Sequence, residues 1–218
     1  MRMMQQTNHN KINYDLMMQK TAEAHKGSSL LLHACCAPCS SAVISRLAPY
    51  FALSIFYYNP NIDTEAEYKK RLKELDKLTF IFNKRNISCH KIELIASPYT
   101  PLEFDQIAQG LQFCKEGGER CHLCYALRLA KTYEMAKTKH FNFFCSTLSV
   151  SPYKNAHILN EIGTSLVNPN DETRFLPNDF KKRDGYLTSI RLSREFQLYR
   201  QDYCGCIYSK QSNEKREG

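Results

Sequence analysis

Residues 28–41 read SSLLLHACCAPCSS. A short apolar run, Leu30 to Leu32, meets two adjacent cysteines, then a proline, a third cysteine and two serines. The run suits a buried strand and is too short for a helix. Pro38 carries the fixed φ favoured in the first turn of a helix, and the serines suit that turn as well. The spacing therefore predicts strand, tight turn and helix, with Cys35, Cys36 and Cys39 crowded into the turn. In a regular strand adjacent side chains point to opposite faces. A strand-to-helix turn rotates the backbone and lets both thiols converge.

The same alternation continues along the chain. FALSIFYYNPN (51–61) predicts a second strand stopped by Asn-Pro-Asn. TEAEYKKRLKELDKLTFIFNKRN (64–86) predicts a helix, with Tyr68, Leu72, Leu75, Thr79 and Phe82 on its apolar stripe. ISCHKIELIA (87–96) reads as a third strand, SPYTPLEFDQIAQGLQF (97–113) leads into a helix, and HFNFFCSTL (140–148) reads as a fourth strand. Between these two strands Cys121 and Cys124 open a helix whose apolar side is marked by Leu123, Leu127 and Ala130. Further helices are predicted within residues 151–166 and 184–201. Strands alternating with helices imply an α/β fold: a mostly parallel sheet with helices on both faces. Ligands of such sheets bind at the carboxyl edge. The loops HACCAPCSS, NPN and CSTLSVSPY all fall there. No repeat or composition break asks for a second domain, so the expected division is a polar lead-in (1–28), one catalytic α/β domain (29–208) and a polar tail (209–218).

Composition narrows the function classes. The chain has 218 residues and ten cysteines, with 30 Lys+Arg against 22 Asp+Glu, a formal charge of +8. No window approaches the ~18 apolar residues of a membrane span, and the polar N-terminus lacks a signal-peptide core. The expected compartment is the reducing cytoplasm, where clustered cysteines bind metal or do redox chemistry. The charge permits a polyanionic partner such as RNA without requiring one.

Three cysteine groups stand out. Cys35, Cys36 and Cys39 share one turn. Cys121 and Cys124, three apart at a helix start, share a face and can grip one metal centre; helix N-termini also favour the thiolate form that ligates. A zinc site would take Cys36, Cys39, Cys121 and Cys124, but the long middle gap exceeds ribbon spacing. An iron–sulfur cluster needs thiolates and tolerates wide separation. Cys204 and Cys206, with Gly205 between them, form a C-x-C: either a labile two-electron dithiol or two thiols of a loose tail. Cys89 and Cys145 lie in apolar strands and are expected in the core. Cys114, seven positions before Cys121, stays ambiguous.

HACCAPCSS after a strand, FYYNPNI after the next, RCHLC at a helix start, STLSVSPYKN after a later strand, DFKKRDGY before the last helix and YCGC near the end occur in order. Together they resemble the QueH-type epoxyqueuosine reductases, from about residue 29 to residue 208. The resemblance implies a fold like the adenine nucleotide alpha-hydrolase (HUP-like) group, with a helical C-terminal extension. It implies reduction of epoxyqueuosine to queuosine at the wobble position of tRNA. It further implies that Cys35, Cys36, Cys121 and Cys124 hold a [4Fe-4S] cluster and that Cys204 and Cys206 form a redox-active disulfide. Cys39 falls beside an additional iron or other metal ion as a further candidate ligand.

Loss of the epoxide oxygen as water needs two electrons, two protons and an acid. Asp179, Asp184, Tyr153 and His33 flank the matched motifs and are the acid candidates. The expected partners are a tRNA anticodon stem-loop carrying epoxyqueuosine and an electron donor that the sequence does not identify, with no membrane. Lys181, Lys182, Arg183, Arg191, Arg194 and Arg200 bracket the last helix as candidate phosphate contacts. Tyr57, Tyr58 and Tyr153 are candidates for stacking an unpaired base. The alternative is a zinc-stabilised, non-catalytic RNA-binding module.

Overall fold

The computed structural model describes residues 12–88 and 90–211. Its five strands are all parallel and lie in the order β3-β2-β1-β4-β5. They are β1 (Ser29–His33), β2 (Ala52–Tyr57), β3 (Glu93–Ala96), β4 (Phe143–Ser146) and β5 (Arg174–Phe175). The helices are α1 (Tyr14–Ala24), α2 (Ala37–Leu47), α3 (Glu65–Lys84), α4 (Pro101–Ala108), α5 (Glu119–Thr138), α6 (Ala156–Ser165) and α7 (Gly185–Glu195). A helical turn closes the description at 207–211. This is the α/β architecture of the HUP-like fold. Among the described residues no helix is long and apolar enough to cross a membrane.

β1 is the central strand because both of its faces are apolar. Leu30, Leu31 and Leu32 are fully buried and pair with β2 on one side and β4 on the other. Helices α2, α3 and α7 pack as one layer and α4, α5 and α6 as another. Cys145 on β4 is fully buried, as expected; Cys89 lies outside the described residues. Helix α1 joins the core through Met18 and Ala22, and its Asp15 forms ion pairs with Arg46 of α2 and Arg183.

Three local expectations are corrected. The third strand is shorter than residues 87–96, because Asn83 takes up the backbone N–H and carbonyl of Ile92 just before β3 begins. A fifth strand, β5, joins the four expected ones; at only two residues it leaves no periodic signal in the sequence. On α5, Leu123 is exposed and Leu127 and Ala130 only half-buried. The inward face is instead Arg120, Cys124, Tyr125, Arg128, Leu129, Thr132, Tyr133 and Ala136. Two arginines occupy that face because each finds polar partners there: Arg120 the carbonyls of Leu111 and Gln112, and Arg128 Asn59 and the Cys124 carbonyl.

Candidate metal and redox site

β1 ends at His33, which is fully buried. Its Nε2 lies 3.0 Å from the Tyr58 carbonyl and its Nδ1 2.8 Å from Ser146 Oγ. A carbonyl only accepts, so Nε2 carries the proton. Burial, with Arg128 nearby, lowers its pKa to about 4, and the ring is neutral. His33 thus ties together the ends of β1, β2 and β4.

The chain then turns. Cys36 is extended (φ −171°, ψ 162°) and caps α2, with Pro38 in the first turn. The sulfurs of Cys35 and Cys36 lie 3.8 Å apart, and those of Cys35, Cys36 and Cys39 all fall within 4.8 Å of one another. Hydrogen bonds from the Cys36 and Cys39 thiols hold Cys35 well below the usual thiol range. Its partners move the other way: Cys36 is pushed up to about 12 by its bond to Cys35, and Cys39 is raised for the same reason. Thr147 Oγ1 also donates to Cys35 Sγ at 3.5 Å. Of the three thiols Cys35 is the one held lowest, and the trio is a group able to hold a metal ion.

Cys121 and Cys124 stand in the first turns of α5. The Gly117 N–H donates to Cys121 Sγ at 3.3 Å. Cys124 is buried, and burial pushes its thiol up to about 12. It packs in a small cluster with Phe104, Ala108 and Cys206. Cys204, two residues earlier, lines a cavity together with Cys35 and Cys39. The C-x-C loop therefore reaches both other cysteine groups: one thiol faces the turn after β1, the other the start of α5. Both are free thiols. Cys114 is half-buried in the loop that leads into α5.

The cavity has a volume of about 370 Å³. Besides the three cysteines, its walls carry Lys154, Tyr153, Glu116, Arg200, Tyr186 and Tyr203. Tyr153 is 72% exposed at the rim. Lys154 is half-buried; burial alone would lower its pKa, yet Cys204, Tyr125, Cys35 and Cys39 raise it, so it is a cation. Fully buried Arg128 donates from Nη1 to Asn59 Oδ1 (3.2 Å) and from Nε to the Cys124 carbonyl (3.4 Å). Its Nη2, like that of buried Arg71, has no partner. These three cations were not singled out in the sequence. The available signal was position: Arg71 falls on the apolar stripe of α3, and Arg128 one turn after Cys124.

Other expected residues lie elsewhere. Asp179 pairs with Lys181 at 3.3 Å, and Asp184 sits at the start of α7 in a left-handed conformation (φ 57°); neither lines the cavity. Tyr57 and Tyr58 are core residues, so they do not offer faces for stacking a base. Lys181 is also committed: its Nζ donates to the carbonyls of Ser149 (3.2 Å) and Lys154 (2.9 Å). Arg183 pairs with Asp15 and Arg191 with Glu195, whereas Lys182, Arg194 and Arg200 are exposed.

A parallel sheet whose carboxyl edge carries Cys35, Cys39, Cys204 and Lys154 around one cavity, with Cys206 packed against Cys124 beside it, defines an α/β protein with a cysteine group able to hold a metal ion. Comparison with known proteins makes this specific. The sequence profile of the family Epoxyqueuosine reductase QueH matches residues 30–212, and the chain belongs to that family. It is 36% identical over 203 residues to the epoxyqueuosine reductase QueH of Streptococcus pyogenes serotype M1, covering 91% of this chain and 78% of the relative. The Staphylococcus epidermidis protein of that name is 35% identical, covering 91% and 85%. The Thermotoga maritima one is 34% identical, covering 83% and 90%.

Proposed function

We propose that this chain reduces epoxyqueuosine to queuosine at the wobble position of tRNA, using a [4Fe-4S] cluster and the Cys204–Cys206 pair. The observation that carries the proposal is the linkage of the three cysteine groups through the C-x-C loop: Cys204 lines one cavity with Cys35 and Cys39, and Cys206 packs against Cys124. In this reading Cys35, Cys36, Cys121 and Cys124 hold the cluster, and Cys39 is a ligand to an additional metal ion. An all-thiol donor set suits iron–sulfur centres. The unpartnered Nη2 atoms of Arg71 and Arg128 also fit, because an anionic centre supplies what buried guanidinium groups lack. When bound, the cluster supplies electrons one at a time.

The remaining roles belong to the chain. The cavity receives the modified base, and exposed Tyr153 stacks on it at the rim. Lys154 places a positive charge where the epoxide oxygen departs, which supports the acid step better than Asp179 or Asp184 does. Cys204 and Cys206 as thiols store two electrons and two protons. Their closure to a disulfide balances the conversion of epoxide to alkene plus water, and an electron donor reopens them. Exposed Lys182, Arg194 and Arg200 meet the phosphates of the anticodon stem-loop.

The test is metal analysis of anaerobically purified protein. Brown protein with about four acid-labile sulfides and at least as many irons per chain supports the reading. Colourless protein with stoichiometric zinc overturns it in favour of a zinc-stabilised RNA-binding module.

A further inference from the structure

Arg71 is, with Arg128, one of the two largest fully buried side chains of the described residues, yet it lies on α3, outside every cysteine motif. Its Nε donates to Glu67 Oε1 at 2.7 Å and its Nη1 to the Cys204 carbonyl at 3.2 Å. The guanidinium stands 5.0 Å from the centre of the Tyr203 ring, a cation–π distance, and lies within electrostatic reach of Cys36. The loop is held from the other side as well: the Asp63 N–H donates to the Gly205 carbonyl at 2.9 Å, and Asp63 Oδ1 accepts from Tyr203 Oη at 2.8 Å. Gly205 has φ +126°, and a Cβ there would stand 3.0 Å from Arg71 Nη1 and 3.3 Å from Ile62. The loop can approach Arg71 this closely only with glycine at its centre.

We propose that Arg71 is a positioning residue, whose guanidinium docks the Cys204–Gly205–Cys206 loop by the Cys204 carbonyl and so sets Cys204 in the cavity beside Cys35 and Cys39. The proposal rests on the reading of Cys204 and Cys206 as the redox pair. It adds the reason the pair sits where it does: a buried cation anchored by Glu67 spans the gap between the thiol turn and the loop. Lysine cannot replace this fork-shaped donor, because one ammonium does not serve Glu67, the carbonyl and the ring at once.

The experiment measures the alkylation rate of Cys204 by peptide mass spectrometry in the full-length, anaerobically purified protein, with buried Cys145 as the internal standard of an intact fold. In Arg71→Met, Cys204 should react about tenfold faster, the factor expected when one charge-assisted hydrogen bond no longer closes a loop. Arg71→Lys should fall between that variant and wild type. Arg71→Gln, which keeps a polar side chain on α3 but removes the charged fork, should match Arg71→Met, and it decides the matter if Arg71→Met does not fold. A wild-type Cys204 rate in Arg71→Gln, or in a folded Arg71→Met, overturns the proposal. Turnover of Cys204→Ser reports separately on the redox assignment: normal turnover removes that role, while the alkylation rates still decide the docking.

Discussion

The sulfur atoms of Cys35 and Cys36 lie 3.8 Å apart, although the residues are adjacent in sequence. The extended backbone of Cys36 and the immediate start of α2 bring this about, since a continued strand would send the two side chains to opposite faces. A tetrahedral ion with metal–sulfur bonds of about 2.3 Å sets its thiolates about 3.8 Å apart. This is the spacing of thiolates on a single ion, and Cys39 lies within the same 4.8 Å group. Each iron of a [4Fe-4S] cluster takes one cysteine, so the cluster reading requires the Cys35 and Cys36 sulfurs to separate on loading. Cys39→Ala should lose any metal beyond the cluster iron and keep the acid-labile sulfide. Loss of sulfide in that variant would show Cys39 to be a cluster ligand.

The cluster assignment itself predicts a sharper pattern. Serine at Cys35, Cys36, Cys121 or Cys124 should each abolish retention of iron and sulfide, because one missing thiolate opens the centre to solvent. Cys145→Ala should keep both, at a stability loss of about 1 kcal/mol for a small buried group. Full sulfide in reconstituted Cys121→Ser would count against the assignment.

Arg128 allows the charge argument to be tested through stability. Arg128→Leu leaves Asn59 Oδ1 and the Cys124 carbonyl without their donor, a loss of about 1–3 kcal/mol in the loaded protein. In protein stripped by chelator the loss should be smaller, since an uncompensated buried cation is itself destabilising. Equal shifts of the thermal midpoint with and without metal would argue that Arg128 does not face the centre's charge.

The sequence made the sheet legible for a physical reason. Leu30–Leu32 and Ile55–Tyr57 are apolar on both faces, so strand and burial could be read together. The carboxyl-edge loops followed from the alternation, and with them the place of Cys35, Cys36 and Cys39. What stayed hidden depends on long-range contacts. The positions of Arg71, on the apolar stripe of α3, and of Arg128, one turn after Cys124, mark them as inward-facing, but their roles depend on the loop and the thiols they meet. The binding of Lys181 by two carbonyls is equally invisible in KKR. Asp179 and Asp184 were near the motifs in sequence and away from the cavity in space.

That last difference changes the expected pattern of tRNA binding. Lys182→Ala and Arg200→Ala should each weaken affinity and flatten its salt dependence, by about 0.7–0.9 in slope per lost phosphate contact. Lys181→Ala should instead lower stability by loosening the 149–154 loop, with the slope unchanged. An unchanged slope in a Lys182→Ala/Arg200→Ala double variant would return both residues to a solvated surface.

Gly185 gives a test of the fold around α7. A Cβ there would stand 1.8 Å from the Phe180 carbonyl oxygen. Gly185→Ala should therefore destabilise by about 1–3 kcal/mol, as overpacking does, read as a lower urea midpoint with the m-value unchanged.

The most direct measurement of the central claim is the fate of the epoxide. Full-length, cluster-loaded protein would be incubated anaerobically with tRNA bearing epoxyqueuosine and a chemical reductant, and the tRNA digested to nucleosides for mass spectrometry. The account predicts a product lighter by one oxygen atom, with the mass and retention of queuosine, and its disappearance when Cys121 is replaced by serine. Unchanged epoxyqueuosine in the presence of fully loaded protein and bound tRNA would contradict it.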